Sequence, residues 1–237
     1  MSYRALDPQA IIVTAARLSA RIAERFPDSG LSKVAAEVLA VAQDTRADIA
    51  AVRRPRPAQR LWIWAVLALG AAMLVAMVVS MPATSSRLEL FPLLQIVESA
   101  INDVVFLGIA VVFLLSLEAR KQRRAALRAL HQLRSLAHVI DMHQLTKDPE
   151  HLLSPEAATA SSPRHDLDAF GLSRYLDYCS ELLSILSKIA ALYAQDLDDS
   201  EVLAAVNDIQ GLTTGLSSKI WQKIVIVDNL RERGGHG

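Results

Sequence analysis

The feature of this sequence that most constrains its fold is a pair of apolar runs near its middle, at residues 61–81 and about 104–117. The first run carries no charged residue, and it has the length of a bilayer-spanning helix, which needs about 20 mostly apolar residues. Trp62 and Trp64 stand near its start, and such aromatic rings favour the membrane–water interface. The run also repeats small residues at a spacing that lets helices approach closely in lipid: Ala68, Ala72 and Ala76. We therefore predict a transmembrane helix at 61–81.

The second run, 104–117, reaches spanning length only when it is extended toward the N-terminus. The extension brings in three polar residues: Glu98, Asn102 and Asp103. Because an ionised side chain inside a bilayer is costly, two interpretations are open. Either the membrane boundary lies close to these residues and they are solvated, or Glu98 and Asn102, spaced i,i+4, form one polar stripe that lines an ion path between several copies, with Asp103 beside it near the outer mouth. In both cases we predict a second transmembrane helix at 91–118, after a short external loop at 82–90.

Basic residues flank the outer sequence ends of both runs: Arg53, Arg54, Arg56 and Arg60 before the first, and Arg120, Lys121, Arg123 and Arg124 after the second. Between the runs Arg87 is the only basic residue. Lys and Arg near membrane ends favour the cytoplasmic side. The sequence therefore predicts a multi-pass protein with both termini in the cytoplasm and these basic side chains at the lipid surface. The alanine- and arginine-rich composition suits a bacterial inner membrane.

Outside the membrane, apolar residues recur at helical spacing and nothing alternates with the period of a strand. We predict an all-α protein: a two-span transmembrane hairpin carrying a cytoplasmic bundle of N-terminal and C-terminal helix pairs and a long extension of the second membrane helix. The segments expected outside the two spans are a helical hairpin at 1–52, a basic proline-containing linker at 53–60, a stalk helix at 119–146, a linker at 147–166, a helical pair at 167–230 and a flexible tail at 231–237. The apolar stripe of the stalk is expected to pack in coiled-coil fashion against the N-terminal pair or another copy.

Composition agrees with a membrane protein. Apolar residues make up 52% of the chain, and the mean hydropathy is positive at +0.27. The 25 basic and 25 acidic residues balance, so no nucleic-acid partner is expected. Cys179 is the only cysteine, which excludes a disulfide within the chain.

The densest group of ionisable residues lies near the end of the stalk, where five of the six histidines fall between residues 131 and 165. Its candidate residues are His131, His138, Asp141 and His143. Three interpretations are open: a polar network between helices, a pH-sensing cluster, or a metal site. The cluster lacks two histidines spaced i,i+4, so a metal site would need the linker to fold back and contribute Asp148, His151 or His165.

No catalytic or nucleotide-binding motif is present, and we predict neither an enzyme nor a cofactor. Two functions remain. The favoured one is a membrane-anchored helical scaffold or sensor that self-associates or binds a cytoplasmic protein. The alternative is a homo-oligomeric ion channel with an acidic outer mouth and a cytoplasmic gating domain.

Overall fold

The computed structural model describes residues 5–53, 57–79, 90–147, 149 and 167–234, and every regular element in these ranges is an α-helix. The helices are α1 (Pro8–Arg25), α2 (Gly30–Arg53), α3 (Pro57–Val79), α4 (Leu90–Leu145), α5 (Ala169–Asp196) and α6 (Ser200–Gly234). The prediction of an all-α chain is confirmed for this part of it.

Several predicted boundaries shift. The described positions of the linker predicted at 53–60 are helical and belong to the ends of α2 and α3. Helix α6 extends into the predicted tail, as far as Gly234. The external loop predicted at 82–90 and the linker predicted at 147–166 lie almost wholly outside the described residues.

The chain divides into two compact units. The bundle unit comprises Met1–Arg53 and Arg123–Gly237, and the apolar unit comprises Arg54–Gln122. Helix α4 runs without interruption through the boundary and contributes to both.

Helix α5 lies at the centre of the bundle unit. It packs against α1, α2 and α6, and buried residues occupy most of its circumference, among them Leu176, Leu182, Leu183 and Ile189. A helix that is apolar nearly all round is stable only when other helices surround it.

The bundle-side half of α4 contributes one face to this core. Its buried residues are spaced alternately four and three apart, the pattern of a helix face that packs along another helix: Ala126, Leu130, Leu133, Ala137, Ile140 and Gln144. The partners of this face lie within the same chain. Lys223 of α6 donates a hydrogen bond to the backbone oxygen of Gln144 at 3.1 Å, and Gly30 at the start of α2 lies against the imidazole of His143.

Contacts between distant residues set the helix directions. Leu6 N–H, just before α1, donates to the Gln195 side chain at 2.8 Å, and Phe26, just after α1, packs edge-on against Tyr175 with ring centroids 5.4 Å apart. Helices α1 and α5 are therefore antiparallel. Helix α6 runs parallel to α4, because its start contacts Arg123 and its later part contacts Gln144.

Short polar signals begin and join the helices. Asp7 caps α1 by accepting from the Gln9 N–H at 2.9 Å, and Pro8 follows it in the first turn, where a missing N–H costs nothing. Asp168 caps α5 in the same way. Between α1 and α2, Asp28 has a φ of 56°, a left-handed conformation that Asp tolerates better than most residues.

Candidate functional site: the apolar surface of helix α4

Exposed apolar side chains recur along the first half of α4 from Val97 to Leu117, interrupted by the exposed Glu98 and Asn102. Among the described residues, one helix is long and apolar enough to cross a membrane: Val97–Leu145 contains an 18-residue window with a mean hydropathy of 2.3 and no buried position. Phe106 is 70% exposed and Val112 is 66% exposed. Large apolar side chains exposed over so many consecutive turns mark a surface that meets lipid or protein.

Helix α3 contributes a shorter apolar stretch. It is helical through Val79, and its described apolar stretch is Leu61–Met73. Trp62 and Trp64 are both exposed, as the interfacial interpretation requires. The last two residues of the span predicted at 61–81 lie outside the described residues.

The two apolar helices meet at Gly70. A Cβ atom placed on Gly70 would lie 3.0 Å from Leu107 Cδ2. The absence of a side chain at Gly70 therefore leaves room for the Leu107 side chain. Around this contact, half-buried residues follow helical spacing on both helices: Ile63, Val66 and Gly70 on α3, and Asp103, Leu107, Ala110 and Leu114 on α4. The alanine ladder identified in the sequence was a different face of α3, and Ala68 and Ala72 are exposed.

The structure separates the three polar residues of the second predicted span. Glu98 and Asn102 are exposed and lie one turn apart on a common face, whereas Asp103 is half-buried. Asp103 precedes Leu107 by one turn and so lies on the face that packs toward α3. Glu98 and Asn102 are thus the pair that shares an exposed face of α4.

The basic segment that follows the apolar surface is also not uniform. Arg120, Lys121 and Arg124 are exposed. Arg123 instead forms two ion pairs, with Asp199 at 2.6 Å and with Glu201 at 3.0 Å. Most of the first basic group lies outside the described part of the chain, namely Arg54 and Arg56 and the side chains of Arg53 and Arg60.

The histidine group does not converge in the structure. His131 and His138 are exposed on α4, and Asp141 accepts a hydrogen bond from Gln144 Nε2 at 2.6 Å. His143 lies against Gly30 instead. Within the described ranges, no three His, Cys, Asp or Glu side chains are placed to hold a metal ion. The linker residues that a metal site would need, Asp148, His151 and His165, lie outside those ranges.

Buried polar groups of the bundle serve packing. Burial raises the pKa of the Cys179 thiol to about 12, which suppresses the reactive thiolate, as expected for a packing residue. Tyr193 donates hydrogen bonds to Thr45 Oγ1 at 3.3 Å and Asp48 Oδ2 at 3.5 Å. Burial raises its pKa to about 12, so the hydroxyl stays protonated and joins α5 to α2.

The sequence placed Asp199 between two helices, as the structure does, but its carboxylate also takes part in a contact with α4 that sequence reasoning missed. Its Oδ1 accepts hydrogen bonds from the N–H groups of Glu201 and Val202 at 3.0 and 3.2 Å, which caps α6. Although desolvation alone would raise its pKa, these bonds and the Arg123 guanidinium hold the pKa below its usual value. An Asp before Ser-Glu and an apolar residue is a capping signal that the sequence does contain, but its pairing with α4 is visible only in three dimensions.

The chain matches no protein-family model, no curated protein and no solved structure. Its function is therefore inferred from three features of the chain: the exposed apolar side chains of α3 and α4, the basic segment that follows them, and the closely packed bundle.

Proposed function

We propose that this protein is an integral membrane protein in which α3 and the first half of α4 form a two-span anchor for a cytoplasmic, non-enzymatic scaffold or sensor. One observation supports it above the others. On the single helix α4, large apolar side chains are exposed on successive turns from Val97 to Leu117, whereas Leu130, Leu133 and Ile140 further along the helix are buried. Water is an unfavourable surrounding for the first surface, and lipid is a favourable one.

The charge distribution supports the orientation. Arg120, Lys121 and Arg124 are exposed within a few residues of Leu117, an exposed apolar side chain at the end of the apolar run. Cationic side chains at such a position favour the cytoplasmic face and its anionic lipids. The bundle and both termini would then lie in the cytoplasm. If the source is bacterial, the membrane that α3 and α4 cross would be the inner membrane.

The bundle also carries exposed apolar side chains of its own, which supports a role in protein binding. Trp221 on α6 is 64% exposed, and Met142 on α4 is 69% exposed. Tryptophan and methionine are enriched at protein–protein interfaces. We therefore include self-association, or binding of a cytoplasmic protein, in the proposed function.

Cysteine labelling of the full chain tests the topology directly, because the native Cys179 is fully buried and adds little background. Ser86→Cys places a thiol in the predicted external loop, and Ser218→Cys places one on an exposed position of α6. With a membrane-impermeant maleimide, intact cells should label only Ser86→Cys, and inverted membrane vesicles should label only Ser218→Cys.

Unaltered protein is the control for labelling of Cys179. Release of the unaltered protein from membranes by alkaline carbonate would contradict the integral anchor. Labelling of Ser218→Cys from outside intact cells would contradict the orientation.

A second candidate, a homo-oligomeric ion channel, has one observation in its favour: Glu98 and Asn102 share an exposed face of α4. Charged and polar rings of this kind select ions when several copies surround an axis. Ion flux into liposomes, compared between the unaltered protein and Glu98→Gln, tests it. A well-inserted unaltered protein that passes no ion would contradict it.

A further inference from the structure

Arg123 differs from the other basic residues of the segment 120–128 in its surroundings. Arg120, Lys121, Arg124 and Arg128 are exposed, whereas Arg123 is half-buried. Its guanidinium Nε lies 2.6 Å from Asp199 Oδ2, and its Nη1 lies 3.0 Å from Glu201 Oε1. The fork of one arginine is therefore shared between two carboxylates at the start of α6.

The Asp199 carboxylate has two tasks at the same time. Its Oδ1 accepts from the N–H groups of Glu201 and Val202, which begin α6. Its Oδ2 takes no part in the cap and accepts a hydrogen bond from Arg123 Nε. The first turn of α6 is thus tied to α4 through one carboxylate, and Val202, just beyond it, is fully buried in the core.

The ion pair lies on α4 close to the end of the exposed apolar side chains and beside other basic residues. Arg123 follows the exposed apolar side chain of Leu117 by six residues, and three exposed basic residues lie within three positions of it. If α4 spans a bilayer, these residues collect anionic headgroups beside Arg123. Phosphate oxygens match the guanidinium fork as well as carboxylate oxygens do, and the half-exposed pair is accessible to such competition.

We propose that Arg123, Asp199 and Glu201 form a latch between α4 and α6 that anionic phospholipids open by drawing the Arg123 guanidinium to a headgroup phosphate. Asp199 keeps its cap on α6 when this happens, but the tie to α4 is lost and the first turns of α6 separate more readily. The latch makes the packing of α6 on α4 depend on the charge of the lipid headgroups next to Arg123. It rests on the membrane anchoring proposed above.

Hydrogen–deuterium exchange of the full chain in nanodiscs tests the latch. One set of discs contains phosphatidylcholine alone, and the other contains phosphatidylcholine with phosphatidylglycerol. In the unaltered protein, amides at 200–206 should exchange about fivefold faster in the anionic discs, the size expected for loss of a partly exposed ion pair. Amides near the centre of α5 should exchange equally in both.

Two variants separate the latch from general charge effects. Arg123→Gln should show the faster exchange at 200–206 already in neutral discs, with no further response to phosphatidylglycerol. Arg124→Gln removes the same charge from the neighbouring exposed position and should match the unaltered protein in neutral discs.

Equal exchange of the unaltered protein in both kinds of disc would overturn the proposal, whatever the variants do. So would an Arg124→Gln variant that behaves like Arg123→Gln in neutral discs. Failure of the proposed anchor would be seen separately, as unaltered protein that does not remain with the discs.

Discussion

Helix α4 carries two regions of similar composition with opposite surroundings. Leu133 and Ile140, in its later half, are completely buried, whereas Phe106 and Val112, in its earlier half, are 70% and 66% exposed. Helical periodicity separates the two halves: polar residues interrupt the later half, where most large apolar residues lie on one buried face, and the earlier half is apolar on nearly every face. One helix therefore presents two different surfaces: a face that packs against protein after Arg123, and exposed apolar side chains before it.

The largest expected difference between the two regions is in the cost of removing a leucine. Leu133→Ala should lower the free energy of unfolding by about 2–5 kcal/mol, because it leaves a cavity in a fully packed core. Leu115→Ala, at a 47% exposed position, should cost less than about 0.5 kcal/mol. Urea unfolding in detergent, followed by circular dichroism, measures both. Equal losses would show that the two regions are packed alike.

A smaller effect is expected where α2 meets α4. Gly30→Ala adds a methyl group that overlaps the imidazole of His143, and such overpacking costs about 1–3 kcal/mol. His143→Ala should restore most of the loss in the double variant by removing the ring. Thermal unfolding of the two single variants and the double variant measures this coupling. A double variant as unstable as the sum of both single variants would contradict the contact.

In the apolar region, a matched pair of glycines tests whether α3 and α4 touch. Gly70→Val should weaken their packing by about 1 kcal/mol, because Leu107 lies where the new side chain must go. Gly108→Val should be neutral, since nothing lies near a Cβ at that position. A disulfide between cysteines introduced at Ile63 and Leu114 reports the packing, and equal cross-linking in both variants would argue against the Gly70 contact.

The last effect is absent at neutral pH and appears only in alkaline solution. Burial raises the pKa of Tyr193 from its ordinary value of 10.0 to about 12 in the folded chain. The folded state therefore holds this proton more tightly than the unfolded state, so the associated stability is complete below pH 10 and is lost as the pH rises toward 12. Tyr193→Phe should show a shallower loss of stability between these values in a pH series of thermal unfolding. An unchanged slope would show that Tyr193 does not contribute.

The helices and the apolar runs could be predicted from the sequence because they depend on neighbouring residues. Length, charge and periodicity identify α3 and the first half of α4, and the recurrence of Ile11, Leu18 and Ile22 identifies the buried face of α1. The stalk was predicted to need a partner for its apolar stripe, and the structure supplies that partner within the chain, from α2 and α6.

The packing details could not be predicted in the same way. The sequence offered an alanine ladder on α3, but Gly70 makes the contact with α4, because the facing residue of the partner helix decides which small residue is used. The histidines near the end of the stalk suggested a common site, yet His143 is directed to Gly30 while His131 and His138 are exposed. The direction of each histidine side chain follows from its position around α4. The residues that it contacts depend on how the neighbouring helices pack against α4.

The sequence by itself determined that this chain is helical and that one long part of it is apolar enough to cross a membrane, because both properties are local sums over consecutive residues. Tertiary structure alone decided that α5 is the central helix and that Arg123, of several similar basic residues, binds Asp199 across 76 positions of the chain. Such pairings depend on the register between helices, and the register is set by the whole core.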